Sequence, residues 1–336
     1  MSTATGAAMR VAVTGSIATD QLMVYPGRFA DQLLPDQLDR ISLSFLVDQL
    51  ELRRGGVAAN ICFGMAALGL RPALVGAVGL DFDDYRSWLE RHGVDTASVH
   101  VSQNLHTARF VCTTDADQNQ IASFYAGAMG EAREIELAPV AARLGGLDLV
   151  VISPNDPQAM LRHTAECRDR GYRFMADPSQ QLASMADADV RSLIDGAALL
   201  FTNEYEKAMT ESKTGWSDAD VLGRVGMRVT TLGAAGSIID RVGDAPITVA
   251  AVPALQVADP TGGGDAFRSG FVAGMSWGVG DERCAQVGSV LASYVLETVG
   301  PQEYTIEPAA FIDRFRATYG DQPASEIEGF VARARA

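Results

Sequence analysis

Six short apolar, β-branched runs punctuate this 336-residue chain: MRVAVTGSI at 9–17, PALVGAVG at 72–79, DLVVIS at 148–153, RFMAD at 173–177, ALLFTN at 198–203 and MRVTTLG at 227–233. Between them lie stretches of helical length and pattern, among them 156–170 and 180–196. That alternation constrains the fold more than any other feature, because strands separated by helices pair in parallel and need helices on both faces. The chain is also long enough for one large α/β unit and a smaller appendage without disulfide or metal staples.

Two stretches break the rhythm. Residues 20–54 show no clean helix–strand alternation, and residues 107–126 read as a hairpin, TARFVCTT and QIASFYAG about a polar turn at 115–119. They are expected to form one small sheet that covers the site of the main unit; a decorative edge hairpin is the alternative. The expected division is 9–19, 55–100 and 127–325 for the large catalytic unit, 20–54 and 101–126 for the small β-sheet lid, and 1–8 for a flexible leader. The leader lacks the basic-then-apolar pattern of a signal peptide.

Composition excludes several classes of function. The net charge of −15 opposes a nucleic-acid backbone, and no apolar run reaches bilayer length. Cys62, Cys112, Cys167 and Cys284 have no metal-ligand spacing, which predicts buried free thiols and a cytoplasmic protein. Lys207 and Lys213 are the only lysines, so a phosphate site must rely on backbone N–H groups, arginine or a metal ion.

The segment DPTGGGDAFRSGF at 259–271 carries the strongest chemical signal. Pro260 keeps Asp259 extended, and Gly262, Gly263 and Gly264 allow a tight turn into a helix marked by Phe267, Gly270, Phe271 and Gly274. Such a helix N-terminus offers unpaired N–H groups to an anion. An acid beside that anion hole makes sense as a base, so Asp265 is expected to take the proton of a hydroxyl attacking a γ-phosphoryl group. The plainer alternative has Asp265 merely complementing the helix dipole.

No G-x-x-x-x-G-K-[ST] loop or complete dinucleotide fingerprint occurs. Thr231, Gly233 and Gly236 form a T-x-G-x-x-G turn after a strand, either near a nucleotide or as a simple turn. Asn203 and Glu206 have the spacing to organise phosphates and a Mg²⁺-bound water, and equally that of a helix capping box. On the acceptor side, Asp20 and Asn60 could divide two vicinal hydroxyls, or be ordinary polar residues at element ends. Phe110 and Phe124, on opposite hairpin arms, could sandwich a planar base or form the lid's own core. Gln180 and Gln181 supply further amides.

Together, RRGGVAANICFGMAALG at 53–69, NEYE, TLGAAG and DPTGGGDAFRSGF resemble the ribokinase-like carbohydrate kinases, the PfkB family, over roughly residues 9–320. The resemblance implies a three-layer α/β/α sandwich with a β-sheet lid, Mg-ATP as donor, K⁺ as a monovalent activator, and transfer to a primary hydroxyl. It implies Asp265 as base, Gly262–Gly264 as anion hole, Asn203, Glu206, Thr231, Gly233 and Gly236 near the nucleotide, and Asp20, Gly56 and Asn60 on sugar hydroxyls. Gly263 replaces the family's usual alanine, and PSQQL after Asp177 lacks the N-x-R of many ribokinases. SLSFLVDQL, HTARF, IASFYAGAM and DPSQQL are most similar to bacterial, particularly actinobacterial, adenosine kinases. That likeness implies ribose contacts by Ser16, Asp20, Gly56 and Asn60 with help from Gln180 and Gln181, adenine between Phe110 and Phe124, and a homodimer through the lid. Ribose, fructose or another nucleoside is the alternative acceptor; a nucleoside-binding protein without turnover is the remote one.

Overall fold

The structure, a computed structural model, describes residues 8–33, 40 and 42–335. The expected leader falls outside these residues except for Ala8, as do 34–39 and 41 of the lid segment.

All six apolar runs become strands of one eight-stranded sheet. Its order is Ile247–Val249, Ser237–Asp240, Arg228–Thr231, Leu199–Asn203, Phe174–Ala176, Leu149–Ile152, Val11–Thr14, Ala73–Val75. Successive residues point to opposite faces. Val11 and Val13 accordingly join the core under the helices Val57–Ala67, Gly263–Trp277 and Asp281–Leu296, whereas Ala12 joins a second core with Val140, Met160 and Leu193. Three layers follow from that alternation.

Two expectations need correction. The sheet is mixed, because Ser237–Asp240 and Ile247–Val249 add an antiparallel edge. A hairpin needs no crossover helix, so the helix–strand rhythm gives no hint of it. The stretch 180–196 is not one helix: a 3₁₀ turn at Ser179–Ala183 is followed by a helix at Asp187–Ile194. Asp187 and Asp189 sit in the first turn of the second piece, where acids favour a helix start.

The two irregular stretches do build one sheet, in the order Gln49–Gly55, Ala18–Val24, Ala108–Thr114, Gln120–Tyr125. The decorative-hairpin alternative fails, since Ala18–Val24 pairs along its whole length with both neighbours. Asp115 shapes the hairpin turn by accepting N–H bonds from Asp117, Asn119 and Phe29. The chain passes from lid to main unit at Gly56, whose φ is +93°. A Cβ there would stand 2.5 Å from the Ser16 carbonyl oxygen, so only glycine fits. All four cysteines are buried and free. Among the described residues no helix is long and apolar enough to cross a membrane.

Candidate active site

The glycine turn delivers the helix Gly263–Trp277 as the sequence predicts. Gly262 is left-handed at φ +83°, and a Cβ on it would stand 2.5 Å from Pro301 Cβ. Asp259 braces the turn, accepting from the N–H groups of Thr261 at 2.9 Å and Gly300 at 3.2 Å and pairing with Arg53. Gly263, Gly264 and Asp265 fill the first helical turn, where N–H groups have no intrahelical acceptor.

Asp265 is partly buried, and its Oδ2 accepts a 2.9 Å hydrogen bond from Asn60 Nδ2. The two helices can bring these groups together because Gly64 meets Ser269: a Cβ on Gly64 would lie 2.6 Å from the Ser269 side chain. Asn60 is itself oriented. Its Oδ1 accepts from buried Gln302 Nε2 at 2.8 Å; the same amide nitrogen donates to the Tyr85 hydroxyl at 2.5 Å, which donates to the Gly55 carbonyl at 2.8 Å. Burial pushes the Asp265 carboxyl up to about 6, Asp177 adds to the rise, and the Arg268 guanidinium and the Asn60 amide pull against it. A base with that affinity for protons is half-ionised just below neutrality, where general-base catalysis is most effective.

Beside the helix start lies a cleft of about 460 Å³, within the range of small-molecule sites, lined by Gln180, Asn203, Glu206, Thr231, Gly264 and Arg268. Asn203 and Glu206 form the capping box in full, with Glu206 N–H bonded to Asn203 Oδ1 and Asn203 N–H to Glu206 Oε2, both at 2.8 Å. Capping spends one oxygen of Glu206. Its carboxyl is raised by burial, against the Asn203 N–H and the Arg268 charge. Thr231 reaches the cleft from its strand end, whereas Gly236 packs against the edge strand, a Cβ there meeting the Val249 carbonyl oxygen at 2.0 Å. Gly233, at φ +58°, starts the exposed turn between them.

These residues fit Mg-ATP. Backbone donors and a guanidinium suit phosphates, and among the described residues no cluster of three or more acidic, histidine or cysteine side chains forms a metal cage. Mg²⁺ commonly binds through one carboxylate, waters and the nucleotide's own phosphates, which one spare oxygen of Glu206 can serve.

On the lid, register lines up the acceptor candidates. Asp20 stands opposite Arg53 on one side and Phe110 on the other, and Phe110 stands opposite Phe124. Paired residues share a face, so Arg53, Asp20, Phe110 and Phe124 form one lateral row. Phe124 is 55% exposed, so it is not lid core; Tyr25, Phe29 and Phe45 pack together instead. Asp20 lies 3.7 Å from where a Gly55 Cβ would be, and burial raises its carboxyl, with Arg53 opposing.

Two of the expected acceptor residues also make bonds within the protein. Ser16 Oγ accepts from Val57 N–H at 3.0 Å, capping the helix that Gly56 cannot cap with a side chain. Gln181 donates to the Asn155 carbonyl at 2.8 Å and accepts from Ser184 at 2.8 Å. Gln180 lines the cleft beside the helix start. Arg268, Asp177, Gln302, Tyr85 and Arg53 entered the site unforeseen. Arg268 had a signal: it lies in the glycine motif itself, in a chain whose phosphate site needs an arginine.

The model of the pfkB family carbohydrate kinases matches residues 14–308. A nucleoside kinase from Methanothermobacter thermautotrophicus is 31% identical over 294 residues, 86% of this chain and 93% of the relative. The ligand-free structure of Burkholderia thailandensis nucleoside kinase superposes with TM-score 0.84 at 33% identity, covering 91% of this chain and 99% of the other. The same kinase in complex with inosine gives TM-score 0.80 at 31% identity, covering 93% and 99%. These relatives are archaeal and Burkholderia nucleoside kinases, a coarser match than the actinobacterial adenosine kinases that the lid segments resemble.

Proposed function

This chain belongs to the pfkB family of carbohydrate kinases, and from that premise we propose that it is a nucleoside kinase, transferring the γ-phosphoryl group of ATP to the 5′-hydroxyl of adenosine. The observation that carries the chemistry is Asp265 at the helix N-terminus, hydrogen-bonded by Asn60 and raised to about 6 by burial. Asp265 takes the hydroxyl proton as the 5′-oxygen attacks, and the N–H groups of Gly262–Gly264 receive negative charge on the phosphoryl oxygens. Asn203, Glu206 and Thr231 hold the phosphate side of the cleft. Glu206, with the oxygen its capping role leaves spare, would hold Mg²⁺ there through water, and the ion would supply charge neutralisation on the phosphates.

A nucleoside, rather than a free sugar, is favoured by the lid row. Asp20 serves the ribose hydroxyls, and Phe110 with half-exposed Phe124 gives the base an apolar platform. The inosine bound by the Burkholderia kinase supports a purine nucleoside. K⁺ activation belongs to the same proposal. So does a homodimer through the lid: Leu50, Leu52, Ile121 and Tyr125 are exposed on the face opposite the lateral row, an apolar surface that a second copy would cover.

The test is a panel of adenosine, inosine, guanosine, cytidine, ribose and fructose with coupled ADP detection, run in K⁺ and in Na⁺. Adenosine should give the highest kcat/KM. Inosine or cytidine above adenosine would keep the nucleoside assignment and overturn adenosine; ribose above every nucleoside would overturn both. Sedimentation at micromolar protein should show a dimer that Leu52→Glu dissociates, and a wild-type monomer would refute the lid interface.

A further inference from the structure

One helical turn beyond Gly264, and lining the same cleft, stands Arg268, whose setting is not that of a structural arginine. The residue is 6% exposed, and its partner Asp177 is fully buried. Arg268 Nη2 donates to Asp177 Oδ1 at 2.6 Å and to Ser179 Oγ at 3.1 Å. Among the described residues Arg268 Nε and Asp177 Oδ2 are buried without hydrogen-bond partners. A buried ion pair left partly unsatisfied is poor at stabilising a fold.

Its geometry points toward the anion hole. Both hydrogen bonds use Nη2, and Nη1 lies against the first helical turn, 2.9 Å from where a Cβ on Gly264 would stand. A side chain at Gly264 would have to displace the guanidinium from this position. Arg268 lines the cleft together with Gly264 and Glu206. A fork-shaped cation can hold one carboxylate with one arm and a second anion with the other in a fixed plane, a geometry that the rotatable donors of an ammonium do not impose.

We propose that Arg268 is a catalytic residue of the transfer: held by Asp177, it directs Nη1 at a non-bridging oxygen of the migrating phosphoryl group, with Asp177 as its positioning residue. In the step it serves, a bond forms between the acceptor oxygen and Pγ while the bond from Pγ to the β,γ-bridging oxygen breaks. The hydroxyl proton goes to Asp265, and the electron pair leaves with ADP. Arg268 makes and breaks no bond; it offsets charge on the oxygens between the two partners.

The proposal rests on the kinase reading but not on the acceptor. Arg268→Lys in the full chain is the decisive variant, since lysine keeps the charge and loses the fork. Its kcat should fall about 10²–10³-fold, the cost of removing one electrostatic donor, with nucleoside KM and melting temperature close to wild type. It should also bind Mg-ADP and nucleoside separately, yet fail to form the tight complex that both make with aluminium fluoride, a mimic of the planar phosphoryl group. A merely structural role would weaken folding and all binding together. Wild-type turnover, or an aluminium fluoride complex as tight as wild type, overturns the proposal. If the lysine variant fails to fold, the neutral pair Asp177→Asn with Arg268→Gln is judged by the same two readouts. A wild-type chain active on ribose alone retires the acceptor assignment and leaves this test in force with ribose.

Discussion

Gln302 offers the sharpest test of how the base is tuned, because it touches neither ligand in any arrangement proposed above. Its Nε2 fixes Asn60 with Oδ1 toward itself and so turns Asn60 Nδ2 toward Asp265. Gln302→Met keeps volume and burial but leaves Asn60 Oδ1 without its donor. The orphaned acceptor costs about 1–3 kcal/mol, enough to let the carboxamide rotate away. A hydrogen bond to an ionised group contributes about 1.5–3 kcal/mol, and 1.36 kcal/mol corresponds to one pKa unit. Losing even the lower figure therefore moves Asp265 up by about one pH unit. The sign is fixed: Asn60 favours the charged form, so its loss raises the proton affinity of Asp265. The acid limb of kcat/KM should move from near pH 6 to near pH 7, with the rate at pH 8.5 little changed. The assay is kcat/KM for adenosine between pH 5 and 9 with coupled ADP detection, beside thermal melts of both proteins. An acid limb that stays in place or moves downward in a folded variant would refute the reasoning.

Asp265→Asn should bind both substrates nearly normally and lose about 10²–10⁴ in kcat, the usual worth of general-base help; turnover near wild type would exclude it as the base. Phe124→Ala should raise the adenosine KM with a smaller effect on any ribose activity, without lowering the melting temperature, because its ring is half-exposed. Equal effects on both acceptors would remove the ring from base recognition. His163 gives a stability prediction. It is fully buried between Thr14 Oγ1 at 2.7 Å and the Ile135 carbonyl at 3.1 Å, and burial drives its imidazole down to about 4. It stays neutral in the fold while the unfolded chain takes up a proton below about 6.5, so stability is full above that pH and is lost as pH falls toward 4. Between pH 7 and pH 4.5 about 2–3 kcal/mol should disappear from this group alone. Urea unfolding of wild type and His163→Gln at both pH values checks it; an equal acid loss in the variant would refute it.

What could be read in advance was local. The glycine turn announces itself because three glycines, a proline and a helical apolar period lie within thirteen residues, and each has its own steric meaning. The lid was legible as two irregular stretches because a hairpin pattern survives in 107–126. Long-range pairings were not. Asn60 meets Asp265 across 205 residues and Gln302 across 242, and a lone buried glutamine has no periodicity to betray it. The bonds that Gln181 makes to a nearby carbonyl and Ser16 accepts from a helix N–H are likewise pairings that the sequence does not show. The capping box of Asn203 and Glu206 was visible as an alternative, and the structure realises it without consuming the second carboxylate oxygen.

The lateral row on the lid has a metric consequence. Neighbouring strands stand about 4.8 Å apart, so the strand of Asp20 and the strand of Phe124, two rungs along, are held about 10 Å apart by backbone hydrogen bonds alone. If the acceptor binds along this row as proposed, the sheet is in effect a ruler laid across it, with an acid at one mark and aromatic rings at the next two. A lone pentose spans only the first interval, whereas a sugar bearing a flat base reaches across all of it. On that proposal selectivity would depend on the length of the ligand as well as on its groups, and it would survive changes of side chain better than a bulge that shifts one strand by a single residue and turns the ruler's marks to the other face.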